Sequence, residues 1–274
     1  LSYFNPFDLK NPDISNIEFE EPSEEAVGIL VIDSGITSNH PMLEKCVGDE
    51  GNFQSGEYEL QDSVGHGTAI AGCTAYGDIE ESIEKNKFTP HNWLFSAKVM
   101  YAEQNNFTNE VSAIYDPEKL LEHQLKDAVE SFLTNPEYNI KIVNISLGNS
   151  NEIWHKHFSR QLPLAALIDE MAINFPHVVF IVSTGNCHPL NYYSSISEII
   201  NHYPEYLSDN EDFNIINPAT SALALTVGSI AQKVRITQER HGDENIKSPI
   251  AQENQPSPFT RTGVGINGMV KPEL

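Results

Sequence analysis

Cysteine, basic residues and long apolar runs are all scarce in this chain, and each scarcity removes a class of protein. Three cysteines among 274 residues, Cys46, Cys73 and Cys187, form an odd set with no paired spacing, which excludes a disulfide-stapled scaffold and fits a reducing compartment. Lys and Arg total 16 against 39 Asp and Glu, a formal charge of -23. Like charge repels nucleic-acid phosphates and anionic lipid headgroups, so neither nucleic acid nor a membrane is expected as a partner. No apolar run approaches the roughly 20 residues needed to cross a bilayer, and no leader pattern opens the chain at Leu1. A cytoplasmic location is the expectation. Metal-ligand patterns are missing too: the acidic runs over 17–25 and 78–84 lack the alternating ligands and turn glycine of a calcium loop, and His155-Lys156-His157 has no third ligand in its segment.

What is present is an alternation of strand and helix patterns, in a chain long enough to bury one large α/β core. Residues 1–26 are acidic and carry Pro6, Pro12 and Pro22, so they read as an extended lead-in to a domain over 27–274. Val27 to Ile32 is a branched apolar run ending at Asp33-Ser34-Gly35, the pattern of a parallel strand buried on both faces. Leu94 to Tyr101, Ile140 to Leu147, Val178 to Ser183 and Ala222 to Val227 read as further strands. Asp116-Pro117 predicts a helix start, with Leu121, Leu125, Val129 and Phe132 along one face, and Pro163 to Ile173 predicts a second helix. Tyr192 to Asn217 and Gln232 to Pro258 read as exposed excursions without an apolar period. Strands alternating with helices predict a three-layer α/β fold, a mostly parallel central sheet with helices on both faces.

The chain is organised around Val64-Gly65-His66-Gly67-Thr68-Ala69-Ile70-Ala71-Gly72. The small residues Ala69, Ala71 and Gly72 predict a helix packed closely on its support, with the imidazole at the helix N-terminus, where the amides disfavour imidazolium. Asp33 and Asn186, like His66, stand at strand ends or helix starts. A carboxylate on one imidazole nitrogen fixes the tautomer while the other nitrogen takes a proton from a nucleophile, and an amide side chain can donate to a developing oxyanion. Asp33, His66 and Asn186 are therefore candidate catalytic groups for acyl transfer. An Asp33 carboxylate oxygen is expected within hydrogen-bond reach of a His66 ring nitrogen. The plainer role for Asn186 is to cap the turn after its strand.

Val31-Ile32-Asp33-Ser34-Gly35-Ile36, with His40-Pro41 following, resembles the aspartate motif of the subtilisin-like serine peptidases, and Gly65-His66-Gly67-Thr68 with Ala71-Gly72 resembles their histidine motif. Asn144-Ile145-Ser146-Leu147-Gly148 is similar to the family's substrate-pairing strand, and Ser183-Thr184-Gly185-Asn186 to its oxyanion segment. Asn217-Pro218-Ala219 and Ser257-Pro258-Phe259-Thr260 match two further landmarks, all in family order. The resemblance implies the subtilisin-like three-layer fold and a cytoplasmic bacterial serine endopeptidase that cuts proteins or peptides through an Asp-His-Ser triad. It implies that the backbone of Ser146, Leu147 and Gly148 pairs with substrate as an added strand. Ser183, Thr184 and Gly185 would floor the first specificity pocket, which, lacking a strong charge, would take a large apolar or uncharged side chain. No cofactor is implied. An ATPase partner is an expectation carried from intracellular relatives.

Two features depart from the family pattern. The nucleophilic serine belongs in a Gly-Thr-Ser motif opening a late buried helix, and Ser183, Ser221, Ser229 and Ser257 stand in other motifs. The expectation is that the catalytic domain is truncated before that serine, that the motif follows Leu274, and that residues 1–274 alone are inactive. Met42 stands where secreted members place a calcium-binding aspartate, so no calcium site is expected at that position. Two alternatives remain. One is a peptide-binding pseudoprotease that keeps the groove at 146–148. The other is an unrelated α/β binding module in which Asp33 and His66 lie far apart.

Overall fold

The computed structural model describes residues 17–56, 59–105, 111–231 and 249–274. The chain divides into two compact units, Leu1–Lys141 and Ile142–Leu274.

The first unit runs through β1 (Glu18–Phe19), β2 (Gly28–Asp33), β3 (Val47–Asn52), α1 (His66–Tyr76), α2 (Ile79–Glu84), β4 (Lys87–Phe88), β5 (Trp93–Lys98), β6 (Met100–Gln104), β7 (Val111–Tyr115) and α3 (Leu121–Leu133). β5 lies between β2 and β3, all three parallel. Every residue of β2 is buried, as its unbroken apolar run predicts. Side chains alternate along a strand, so Val31 and Leu94 face one side and Leu30 and Phe95 the other. On the first side Val31 and Leu94 pack with Ala71, Ala75 and Tyr76 of α1. On the second, Phe95 meets Phe132 of α3 at 6.1 Å between ring centroids. Helices thus cover both faces of this sheet. Asp33 shares the parity of Val31, which puts its carboxylate on the α1 side.

Several boundaries differ from the sequence reading. β3 was not expected: its Gly48-Asp49-Glu50-Gly51-Asn52 stretch has no apolar run, and as an edge strand paired to β5 it needs none. The Leu94–Tyr101 run breaks at Val99, whose amide donates to the Asp33 carbonyl at 2.9 Å. The chain then turns away as β6 to pair antiparallel with β7. α3 begins at Leu121 rather than at Asp116, because the Asp116 carboxylate is engaged elsewhere. It accepts from the Glu118 amide at 2.8 Å and from the amide and hydroxyl of Ser55 at 2.6 Å each, capping a turn instead of a helix. Leu125, Val129 and Phe132 are buried as predicted, whereas Leu121 is only half-buried and Gln124 and Ala128 complete the face. Ala69 of α1 is exposed, and Gly67, Ala71, Gly72 and Ala75 make the close face. Of the lead-in, residues 1–16 lie outside the described residues; Phe19 of β1 packs on Phe88 of β4 at 5.4 Å.

β8 (Ile140–Ile145) starts at the end of the first unit, where the Gly28 amide donates to the Asn139 carbonyl at 3.1 Å, and continues into the second. There follow β9 (Asn149–Ile153), α4 (Pro163–Asn174), β10 (Val179–Ser183), α5 (Ile196–His202), α6 (Tyr206–Asp209), β11 (Ile216–Asn217), β12 (Leu225–Val227), β13 (Gly263–Val264) and β14 (Val270–Lys271). β10 lies between β8 and β12, again all parallel. α4 opens with proline in its first turn and buries Leu164, Ala165, Ile168 and Met171. Its N-terminus is satisfied from a distance: Asn217 Oδ1 accepts from the Ala165 amide at 3.0 Å.

The Tyr192–Asn217 stretch is not an exposed excursion. Ile199, Tyr206, Leu207 and Phe213 pack with Cys187 into a buried cluster. Short helices and turns carry these side chains, so no 3.6-residue period announces them. Of the second predicted excursion, residues 232–248 lie outside the described residues, while Ala251 and Ser257 are buried. Among the described residues no helix is long and apolar enough to cross a membrane.

Candidate active site

Asp33 ends β2 almost fully buried, and its Oδ1 accepts from the Ser34 amide at 2.8 Å. His66 opens α1, and its Nδ1 lies 2.8 Å from Asp33 Oδ1 and 2.9 Å from Oδ2. The preceding Gly65 sits at φ 89°, a left-handed conformation that glycine adopts without steric cost. The His66 side chain remains 31% exposed. With Nδ1–H donating to the carboxylate, Nε2 is the nitrogen left to accept a proton. The dominant influence on the ring is this contact rather than the helix-end amides. The Asp33 hydrogen bond raises the His66 pKa, burial opposes it, and the charges of Asp33 and Asp62 add to the rise.

Asp62 was missed by the sequence reading. Its Oδ1 accepts from the Ser34 hydroxyl and from the amides of Val64 and Gly65, each at 2.9 Å. Its Oδ2 accepts from the Thr68 amide at 2.9 Å and the Thr68 hydroxyl at 2.8 Å. One carboxylate therefore ties the residue after Asp33 to both sides of His66. Burial pushes the Asp62 carboxyl upward, but the donors on Thr68, Gly65 and Val64 outweigh it and hold it below the ordinary range. The available signal was an acid four residues before a histidine that opens a helix. Lys98, buried at the end of β5, steadies the same loop by donating to the carbonyls of Glu59 and Gln61 at 2.7 Å each.

In the second unit the other predicted site residues gather at the ends of β8 and β10. The Ser146 hydroxyl donates to Asn144 Oδ1 at 2.8 Å, and Leu147 is buried. The Thr184 amide donates to the Val227 carbonyl at 3.0 Å, continuing the ladder past Ser183. Gly185 takes φ 85°. Gly148 and Gly185 converge on one side chain: a Cβ on either would meet the tip of Ile216, at 3.0 and 2.6 Å. Asn186 is exposed, and among the described residues its side-chain amide has no hydrogen-bond partner, so it does not cap the turn. Its carbonyl accepts from Arg261 Nε at 3.0 Å, a contact with no signal in the sequence. Among the described residues no cluster of three or more His, Cys, Asp or Glu could hold a metal.

A strand-end carboxylate bonded to the histidine that opens a small-residue helix suits a hydrolase that activates its nucleophile through a carboxylate–imidazole couple. The sequence model of the Subtilase family matches residues 24–274, and the chain belongs to that family. Membership supports a serine peptidase-type function and removes the reading as an unrelated module. The chain is 34% identical over 151 residues to the uncharacterized protein y4bN of Sinorhizobium fredii, covering 55% of this chain and 33% of that protein. Similar solved structures include a cold adapted subtilisin-like serine proteinase, at 15% identity over 93% of this chain and 65% of its own with TM-score 0.49. Another is the S41 psychrophilic protease, at 18% identity over 79% of this chain and 57% of its own with TM-score 0.48. The chain thus spans about a third of that relative and less than two thirds of those structures.

Proposed function

We propose that the protein is a serine endopeptidase in which His66, oriented by Asp33, acts as general base toward a serine in a Gly-Thr-Ser motif outside residues 1–274. The observation that carries the reading is the 2.8 Å contact between His66 Nδ1 and Asp33. His66 Nε2 takes the serine proton as the hydroxyl attacks the scissile carbonyl, and returns it to the leaving amine. The Asp33 carboxylate stabilises the imidazolium formed between those two steps. Asn186 donates its free side-chain amide to the oxyanion, the backbone of Ser146, Leu147 and Gly148 pairs with the peptide, and Ser183, Thr184 and Gly185 floor the pocket for an uncharged side chain. The substrate is a protein or peptide. No step calls for a cofactor.

The test is covalent labelling of the full-length protein with a fluorophosphonate, followed by peptide mapping. The expected result is one labelled serine outside residues 1–274, with labelling lost in His66→Ala. A labelled serine within 1–274, or labelling indifferent to His66, overturns the assignment. Peptide binding without labelling or hydrolysis identifies a pseudoprotease instead.

A further inference from the structure

Arg261 is a buried cation that spends its hydrogen bonds on main chain. It is 4% exposed, and among the described residues no carboxylate lies within ion-pair distance of it. Nε donates to the Asn186 carbonyl at 3.0 Å, and Nη1 donates to the carbonyls of Asp212 at 2.7 Å and Asn214 at 2.8 Å. The charge of Asp212 acts on it from beyond that distance, and burying a guanidinium without an ion-pair partner is unfavourable unless its donors are well placed, which a planar fork achieves without much freedom. These three carbonyls belong to two segments. One is the turn that carries Asn186, and the other flanks Phe213 in the packed 192–217 stretch.

The Asn186 side chain itself is exposed and has no partner among the described residues, so its direction follows from its backbone. That backbone is preceded by Gly185 in the left-handed region, which imposes little by itself. It is held from the segment containing Arg261. Asn186 and Thr260 form an antiparallel bridge, the Cys187 amide donates to the Phe259 carbonyl at 2.8 Å, and Arg261 fixes the Asn186 carbonyl. We propose that Arg261 is the positioning residue of the oxyanion donor: its guanidinium fixes the peptide plane of Asn186, aims the side-chain amide, and couples that aim to the packing of residues 192–217. This rests on the role proposed above for Asn186.

The experiment compares full-length protein carrying Arg261→Lys, Asn186→Ala and both together, with kcat, KM and melting temperature measured on each preparation. Lysine keeps the buried charge but cannot reach all three carbonyls as a fork. A misplacement of about 1 Å costs up to about a hundredfold in rate, so Arg261→Lys is expected to lower kcat about ten- to a hundredfold with KM nearly unchanged. It is expected to lower kcat no further in the Asn186→Ala background. Should the lysine variant not fold, Arg261→Gln, which keeps a donor without the charge, replaces it. A lower melting temperature with full kcat, or losses that multiply in the double variant, overturns the inference while leaving Asn186 in place. Full kcat in Asn186→Ala overturns the oxyanion reading and this inference with it.

Discussion

Gly67 and Gly35 touch through their main chains: a Cβ on Gly67 would lie 2.1 Å from the Gly35 carbonyl oxygen and 3.2 Å from Asp33 Cβ. The first turn of α1 therefore rests on the turn after β2 with no side chain between them, and this contact holds His66 against Asp33. Gly67→Ala is expected to push the two elements apart and destabilise the protein by about 1–3 kcal/mol, the usual range for overpacking. The His66–Asp33 hydrogen bond lengthens with it. Gly65→Ala meets no atom within 4 Å and pays only left-handed strain, about 1–2 kcal/mol. Denaturant unfolding combined with ring titration separates them, since only Gly67→Ala should move the His66 pKa. Wild-type titration in Gly67→Ala would refute the role given to this contact.

Asp33→Asn is expected to lower the His66 pKa, because the largest cause of its rise is the Asp33 hydrogen bond. The sign for stability follows. A histidine with a raised folded pKa stabilises fully below its unfolded value of about 6.5, and the contribution disappears as pH rises through the folded value. Wild type should lose stability relative to Asp33→Asn across that window. Ring NMR titration and unfolding at several pH values check both statements, and an unshifted His66 would show that Asp33 is not its dominant partner.

Asp62→Ala removes the acceptor for the amides of Val64, Gly65 and Thr68 and for two hydroxyls. Leaving such donors unpaired is expected to cost about 1–3 kcal/mol. With its folded pKa depressed, Asp62 stabilises above its unfolded pKa of about 3.9, and that contribution is lost as pH falls through the folded value. The variant should therefore show a smaller loss of stability on acidification than wild type. Equal acid sensitivity, measured by thermal melting between neutral and acid pH, would argue against the clamp.

On the role proposed for Asn186, Asn186→Ala is expected to reduce kcat of the full-length protein about a hundred- to a thousandfold with KM nearly constant, the range for removing one oxyanion donor. A bond that strengthens only as charge develops leaves binding alone. Preserved turnover would remove Asn186 from the proposed site whatever the melting temperature.

Period and chemistry in the sequence were enough to determine β2, β8, β10, α4 and the helical character after His66, because each is an apolar or small-residue pattern bounded by local signals. They were enough, too, to nominate Asp33 and His66, whose motifs place them at the end of one element and the start of another. Contacts between segments distant in sequence were decided only by tertiary structure. β3 is polar and takes strand form because β5 offers it a ladder; residues 192–217 bury Phe213 and Tyr206 without any period; Asp116 leaves its helix to cap a turn joined to Ser55. The tie from Asp62 to Ser34 belongs to the same category, although its contacts to Val64, Gly65 and Thr68 are local, and so does buried Arg261. A buried charge is tolerated only where donors or acceptors from several segments converge on it, and such convergence is a property of the folded chain that no local pattern encodes.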